Sequence, residues 1–381
     1  MEKEVRRDKI RGCLIGGGVG DALGYPVEFR RENAIWEKYG PGGIQAYEPD
    51  RRCGKVVITD DTQMTLFTAN GLLMDIAARR CGNGTEQESP AMWVYQAYQD
   101  WLTTQSVGYA EYRDSEEKGV CWLMNIPELF ALRAPGNMCL HSLEEFRAFG
   151  NVRYEDLYKK RNDSKGCGGV MRVAPMGLLH RADPELVETD KIGAELAMIT
   201  HCHSLGYMPA AVLVHIISRL VFPHKEMTLE EIVIETRDAI AKIYADDENL
   251  FKLLLIINAA LRLAKNEEDD LTNIHKLGEG WVAEEALGIA LYCALRYQND
   301  FSKAMIVSVN HKGDSDSTGA VTGNILGALI GYEAIDDKWK EELELRETIL
   351  EVADDIHYAN ELAEQPELTP DSKWLEKYLR K

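Results

Sequence analysis

Apolar residues recur every three to four positions through most of this chain, over 62–79, 91–102, 192–221, 229–243, 249–265, 283–297, 303–310 and 319–332. That period lines one face of an α-helix, whereas a half-buried strand needs alternation. Extended signals are confined to 55–58, read as pairing with 44–47. This is far below the strand share of an ordinary globular protein, so the spacing predicts an all-α fold. Turn-rich or polar stretches fall at 40–54, 80–90, 105–120, 133–168, 222–228 and 265–280, and no low-complexity linker divides the 381 residues. The predicted unit is therefore single, 1–381, with its motifs within about 10–335 and a helical C-terminal extension over 336–381. The apolar run 253–263 is shorter than the roughly 20 residues a membrane span needs, and reads as a buried helix.

Charge narrows the partners. Lys and Arg number 43 against 63 Asp and Glu, a net charge of -20, which repels nucleic-acid phosphates and anionic lipid headgroups. Neither nucleic acid nor membrane is expected as a partner. An anionic ligand would need local compensation from metal ions or from N–H groups at helix starts. The eight cysteines are scattered without a C-x-x-C pair, in a chain large enough to fold without disulfides. With a charged first segment in place of a signal peptide's apolar core, they predict reduced thiols and a cytoplasmic location. An apolar helix face reads equally as core or interface, which leaves the oligomeric state open.

Two segments place carboxylates beside hydroxyls where an apolar helix begins: Thr59-Asp60-Asp61-Thr62 and Asp314-Ser315-Asp316-Ser317-Thr318. Capping explains one oxygen in each, since Asp, Ser and Thr suit a helix N-terminus. Four carboxylates held together would repel unless protonated or bound to cations. Oxygen ligands favour Mg²⁺ or Mn²⁺ over zinc, and two clusters suit a pair of ions about 3.5–4 Å apart.

Gly12, Gly16, Gly20 and Gly24 recur every fourth residue, which puts them on one helix face and lets another helix approach closely. No G-x-G-x-x-G window occurs there and no strand precedes it, which excludes a dinucleotide fingerprint. Asp21 and the Pro26-Val27-Glu28-Phe29 loop follow, where a carboxylate could hang over a site. Gly166-Cys167-Gly168-Gly169 precedes an apolar segment and is expected to leave N–H groups bare for a pyrophosphate. Thr200-His201-Cys202-His203 falls inside a helical pattern, where successive side chains diverge by about 100° and cannot grip one ion.

Taken in order, Gly20-Asp21-Ala22-Leu23-Gly24 with Glu28, Thr59-Asp60-Asp61-Thr62, Gly166 through Arg172, Thr200-His-Cys-His203 and Asp314 through Thr318 resemble the ADP-ribosylglycohydrolase family. The resemblance implies a compact orthogonal bundle of many helices, with two Mg²⁺ or Mn²⁺ ions at the base of a cleft for ADP-ribose. It implies metal binding by Thr59, Asp60, Asp61, Asp314, Asp316 and Ser317. Glu28 corresponds to the glutamate of a mobile loop over the ribose. Ser164, Gly166, Cys167, Gly168 and Gly169 fall in the loop that contacts the pyrophosphate and adenosine side, and His201 or His203 lines the cleft. Asp60, Asp61 and Asp316 are the ligands expected to accept a proton from water, with Glu28 assisting.

The Gly-Cys-Gly form and the Thr-His-x-His run ending at Tyr207 are similar to the arginine-specific branch, so the expected substrate is an ADP-ribosylated protein and the product ADP-ribose. An ADP-ribose-binding pseudoenzyme and a hydrolase of a serine or O-acetyl linkage are the alternatives. Isoprenoid synthases need D-D-x-x-D and HD phosphohydrolases an adjacent His-Asp; this chain has neither.

Overall fold

The computed structural model describes residues 2–82 and 89–379. Nineteen α-helices, three 3₁₀ turns and one antiparallel bridge, between Gly166 and Val282, make up the regular structure of the described residues. The fold is all-α. Most of the 80–90 turn stretch, and residues 1, 380 and 381 of the proposed unit, lie outside the described residues.

The most extensive packing is between the N-terminal helix, Glu2–Gly24, and the helix Ser315–Ile330, which run antiparallel. Gly12, Gly16 and Gly20 face Gly327, Gly323 and Gly319, and a side chain at any of these positions would overlap the opposing backbone. Backbones that approach this closely leave no freedom of register. The end of one helix, with Asp21 and the Glu28 loop, is thereby fixed beside the start of the other, with Asp314 and Asp316. Around this seam pack Asp60–Arg80 and Ser204–Val221, both buried along nearly their whole length. The second is long and apolar enough to cross a membrane by composition, yet 89% of it is buried inside the fold. The helix Arg346–Glu364 lies against the N-terminal helix, where Arg7 and Arg11 both donate to Asp354.

Four local expectations are corrected. Residues 44–47 and 55–58 form no strands, because side chains take the backbone groups a ladder would use. The Asn310 amide bonds both the N–H and C=O of Ile44, while Glu344 accepts from Ile58 N–H and Arg133 donates to Ile58 C=O. The 192–221 segment is two helices, Val187–Met198 and Ser204–Val221, since His203 caps the second by accepting Leu205 N–H at 3.0 Å. The Thr200–His203 run is thus a helix junction. The polar stretches 133–168 and 265–280 contain the helices Asn137–Phe149 and Asp270–Leu277, whose narrow apolar stripes bury only a few residues each. Finally, Leu250–Leu263 is half-exposed, with Leu253, Ile257, Ala260 and Leu263 inward and Phe251 and Leu255 in solvent.

Candidate active site

The Asp60 helix begins at Thr59, whose hydroxyl accepts from Asp61 N–H at 3.3 Å. Asp21 secures this start from the neighbouring helix. Its two oxygens each accept Thr59 N–H at 3.0 Å, and one also takes Thr62 N–H at 3.1 Å and the Thr62 hydroxyl. Burial pushes the Asp21 carboxyl up to about 6, against the pull of those hydrogen bonds. Its oxygens are committed to the helix start, so it positions Asp60 and Asp61. Asp21→Ala strands two buried N–H donors and should cost at least about 2 kcal/mol in chemical denaturation, at about 1–3 kcal/mol per orphaned group. A loss under about 1 kcal/mol would contradict that role.

The second acidic group starts the Ser315 helix. Asp314 and Asp316 accept Ser317 N–H at 3.3 and 3.1 Å, at the positive end of the helix dipole. Glu28 descends from the loop after the N-terminal helix, and ligand oxygens of Glu28, Asp314 and Asp316 lie within 4.8 Å of one another. Asp60 and Asp61 line the same cavity, of about 300 Å³. None of these five residues is more than 5% exposed. Glu28 Oε2 and Asp61 Oδ1 are buried without a hydrogen-bond partner. No Lys or Arg pairs with the five among the described residues. Burial first, then neighbouring carboxylates, pushes Asp60, Asp61 and Asp316 well above the usual range, and burial with Asp314 and Asp60 pushes Glu28 up to about 9. Clustered oxygen donors with unpartnered atoms and no balancing side chain fit hard divalent cations. Thr59 stays behind the cavity wall, fully buried, while the Ser317 hydroxyl lies on it.

Ser164, Gly166, Cys167, Gly168 and His201 line the same cavity. The Cys167 thiol donates to Asp314 Oδ2 at 2.6 Å, and burial with that charge holds it protonated. The glycine loop departs from expectation. Gly166 N–H goes to Ser164 Oγ at 3.4 Å and Cys167 N–H to Trp281 C=O at 3.3 Å, so two of its donors are used. Only a four-residue helix, Ala174–Gly177, follows, and the intervening Arg172 turns inward to bond Thr200 and Leu196 C=O. Gly168 matters for space: a Cβ there would sit 2.8 Å from Cys139 Sγ and 2.9 Å from His201 Cε1. Gly169 faces away, against Ala197 and Gly206.

Of the two histidines, His201 reaches the cavity and His203 caps its helix outside it. Arg172 donates to Thr200 Oγ1 at 2.7 Å, which frees that hydroxyl's proton for His201 Nδ1 at 2.8 Å. The proton of His201 then sits on Nε2, beside Gly166. Burial and Arg172 lower the ring's pKa to about 3, so His201 is a neutral donor at physiological pH.

Two parts of the site escaped sequence reasoning, and a third falls in the polar stretch 133–163, expected from sequence to form a substrate-selecting rim. The 134–139 segment lines the cavity, and its Gly136 N–H holds Asp60 Oδ2 at 3.2 Å. Met171 contributes a sulfur near Ser317. Phe29 and Trp281 stack at the rim, ring centroids 5.8 Å apart and planes at 24°. A single exposed aromatic carries no periodic signal; the one available clue was a Trp directly after Gly278-Glu279-Gly280.

The family model described as ADP-ribosylglycohydrolase matches residues 2–366. The chain belongs to the ADP-ribosylglycohydrolase family. Among curated relatives, it is 25% identical to ADP-ribosylhydrolase ARH3 of Gallus gallus, covering 92% of each chain. ADP-ribosylarginine hydrolase Tri1 of Serratia proteamaculans is 24% identical, over 92% of this chain and 79% of that one. ADP-ribosyl-[dinitrogen reductase] glycohydrolase of Rhodospirillum rubrum is 23% identical, over 89% and 91%. A solved structure titled ADP-ribosylglycohydrolase-related protein complex shares the fold, with a TM-score of 0.64 at 23% identity over 94% of this chain and 99% of that one. Membership in the ADP-ribosylglycohydrolases supports a glycosidase.

Proposed function

We propose that this ADP-ribosylglycohydrolase cleaves the N-glycosidic bond between ADP-ribose and an arginine of a modified protein, using two Mg²⁺ or Mn²⁺ ions. One observation carries the reading: five buried carboxylates from three parts of the chain converge on one cavity with two oxygens unpartnered. Asp60, Asp61, Asp314, Asp316 and Ser317, which line the cavity, are the residues to hold the ions, with Thr59 fixing the start of the Asp60 helix behind them. Bound there, divalent cations would orient the ribose hydroxyls and lower the pKa of a water. The arginine linkage is supported by the Gly166-Cys167-Gly168 form, by the relative named for ADP-ribosylarginine, and by the Phe29–Trp281 rings at the rim, whose faces suit a planar cation.

Water must lose a proton as its oxygen bonds to ribose C1″, and the departing guanidine must gain one as the C–N bond breaks. The coupled carboxylates Asp61 and Asp316 accept the first proton; Glu28, on the loop above them, returns one to the guanidine. The charge of the site is then unchanged by a turnover. His201, fixed as a neutral donor, gives an N–H to the pyrophosphate side, and Gly168 keeps the wall open.

Incubation with mono-ADP-ribosylated arginine and serine peptides, in Mg²⁺ and in EDTA, is the test. Free ADP-ribose should appear from the arginine peptide in Mg²⁺ and not in EDTA. Release that persists at full rate in EDTA would end the metal-dependent reading, and release from serine alone would reassign the linkage.

A further inference from the structure

Beyond the aromatic pair at the rim lies a second basin of about 670 Å³, lined by Arg30, Arg31, Asn33 and Lys312 among others. We propose that this basin is the subsite for the polypeptide carrying the ADP-ribosyl group, and that it selects modified residues flanked by carboxylates. The inference rests on the hydrolase reading above and names its substrate more closely.

Continuity is the first argument. Glu28, Phe29 and Trp281 line both the carboxylate cavity and the outer basin, so the two spaces share a wall. The bond to be cut must lie against the carboxylates, and Glu28 is one of them. Whatever chain is attached to the ribose carbon therefore leaves past Glu28 and over the Phe29–Trp281 rings. The far side of the basin is fixed to the cavity as well. Trp281 C=O accepts Cys167 N–H at 3.3 Å, and Glu279 C=O accepts Asp314 N–H at 2.9 Å. A subsite tied to the carboxylate-bearing backbone at two points holds a flanking residue at a fixed distance from the reacting carbon.

Charge is the second argument. On a chain of net charge -20, this basin is lined by as many basic as acidic side chains, and two of the basic ones, Arg30 and Arg31, stand without an acidic partner among the described residues. Of its three acids, Glu279 pairs with Lys312 at 2.8 Å, Glu32 bonds the His275 ring at 2.5 Å, and Glu28 belongs to the carboxylate cavity. Arg30 and Arg31 are both exposed, and neither forms an ion pair among the described residues. Arg30 is held in place through a bond from its Nε to Pro26 C=O at 2.8 Å. Two unpaired guanidinium groups beside an open basin match carboxylates on an incoming peptide, with fork geometry suited to Asp or Glu. The chain's net negative charge opposes such a peptide at long range, so the two guanidinium groups set the orientation of approach.

The test uses the full-length protein and three substrates of one linkage: ADP-ribosylated free arginine, and ADP-ribosylated arginine peptides flanked by Asp/Glu or by Lys/Arg. A parallel set carries the modification on serine. The wild-type KM should be about tenfold lower for the acidic-flanked peptide than for the basic one, with similar kcat, and the gap should shrink at about 1 M salt. In Arg30→Glu/Arg31→Glu the preference should vanish or invert, while release from ADP-ribosylated free arginine stays within about twofold of wild type. Arg30→Gln/Arg31→Gln, which removes charge without reversing it, should give an intermediate preference. Equal KM values for the two peptides in the wild type, or a preference that survives in both variants, would overturn the acceptor subsite and leave the hydrolase reading intact. Release from no substrate of either linkage would overturn both.

Discussion

Asp316→Ala and Asp61→Ala should each slow ADP-ribose release on the order of 10³-fold, the scale of losing one preorganised electrostatic group in a dry site. The same metal-free variants should melt no lower than the metal-free wild type. Ordinary buried polar truncations destabilise, but here each carboxylate sits among like charges with no basic partner. Removing one relieves repulsion. The pH dependence follows in sign. Burial raises these carboxyl groups in the folded state, so between about pH 4 and their folded pKa values the folded chain binds more protons than the unfolded one. Their contribution to metal-free stability is complete below the unfolded carboxyl pKa and is lost as pH rises, with Glu28 extending the loss to about 9. Thermal melts of the metal-free wild type should therefore fall between about pH 5 and pH 9, more steeply than those of Asp316→Ala. Divalent cations should flatten the wild-type slope, because bound cations favour the charged form. A variant that keeps near-normal turnover, or a metal-free melt that rises across that window, would contradict this.

The largest stability effect is expected at the glycine seam. In Gly323→Ala the new Cβ overlaps the Gly16 carbonyl oxygen, and in Gly319→Ala it would lie 2.5 Å from Gly20 C=O. Both obstacles are backbone, which cannot rotate away, so the two central helices must separate or shift. A loss above about 4 kcal/mol, in the range reserved for disrupted cores, is expected at each. Gly18→Ala in the same N-terminal helix is the control. Its Cβ meets only Ile349 and Leu343 side chains at 3.4 Å or more, and it should be neutral or gain up to about 1 kcal/mol of helix propensity. Because the seam sets where Asp21 and Glu28 meet Asp314 and Asp316, a folded remnant of Gly323→Ala should also bind divalent cations poorly. Urea denaturation of the three variants measures the difference; equal midpoints for Gly18→Ala and Gly323→Ala would remove the seam as the element that sets register.

The helical architecture was legible because its signals are local. Periodicity placed 229–243 within the observed Leu229–Ile243 and 283–297 within one residue of Ala283–Arg296. The two acidic helix starts were also legible, since capping residues declare themselves in three or four positions. The four-residue spacing of Gly12 to Gly24 predicted a close helix neighbour, and the same spacing in Gly319, Gly323 and Gly327 was available to name that neighbour. What could not be read depends on distant partners. Asp21 holds the Asp60 helix through N–H groups some 38 and 41 positions away, which no local pattern reveals. The break at Thr200–His203 hides inside continuous apolar spacing, because His203 substitutes for a more common capping residue. Arg172, buried with no acid beside it, sets the His201 tautomer only through the tertiary bond to Thr200.

Binding of Mn²⁺ to the metal-free protein at neutral pH, followed by the loss of the free-ion electron paramagnetic resonance signal, tests the central claim most directly. Two equivalents should bind per wild-type chain with release of protons from the raised carboxyl groups, and Asp316→Ala should lose at least one. An undiminished free-ion signal with the protein in excess of the ion, or equal uptake by wild type and Asp316→Ala, would contradict the assignment of these carboxylates to metal.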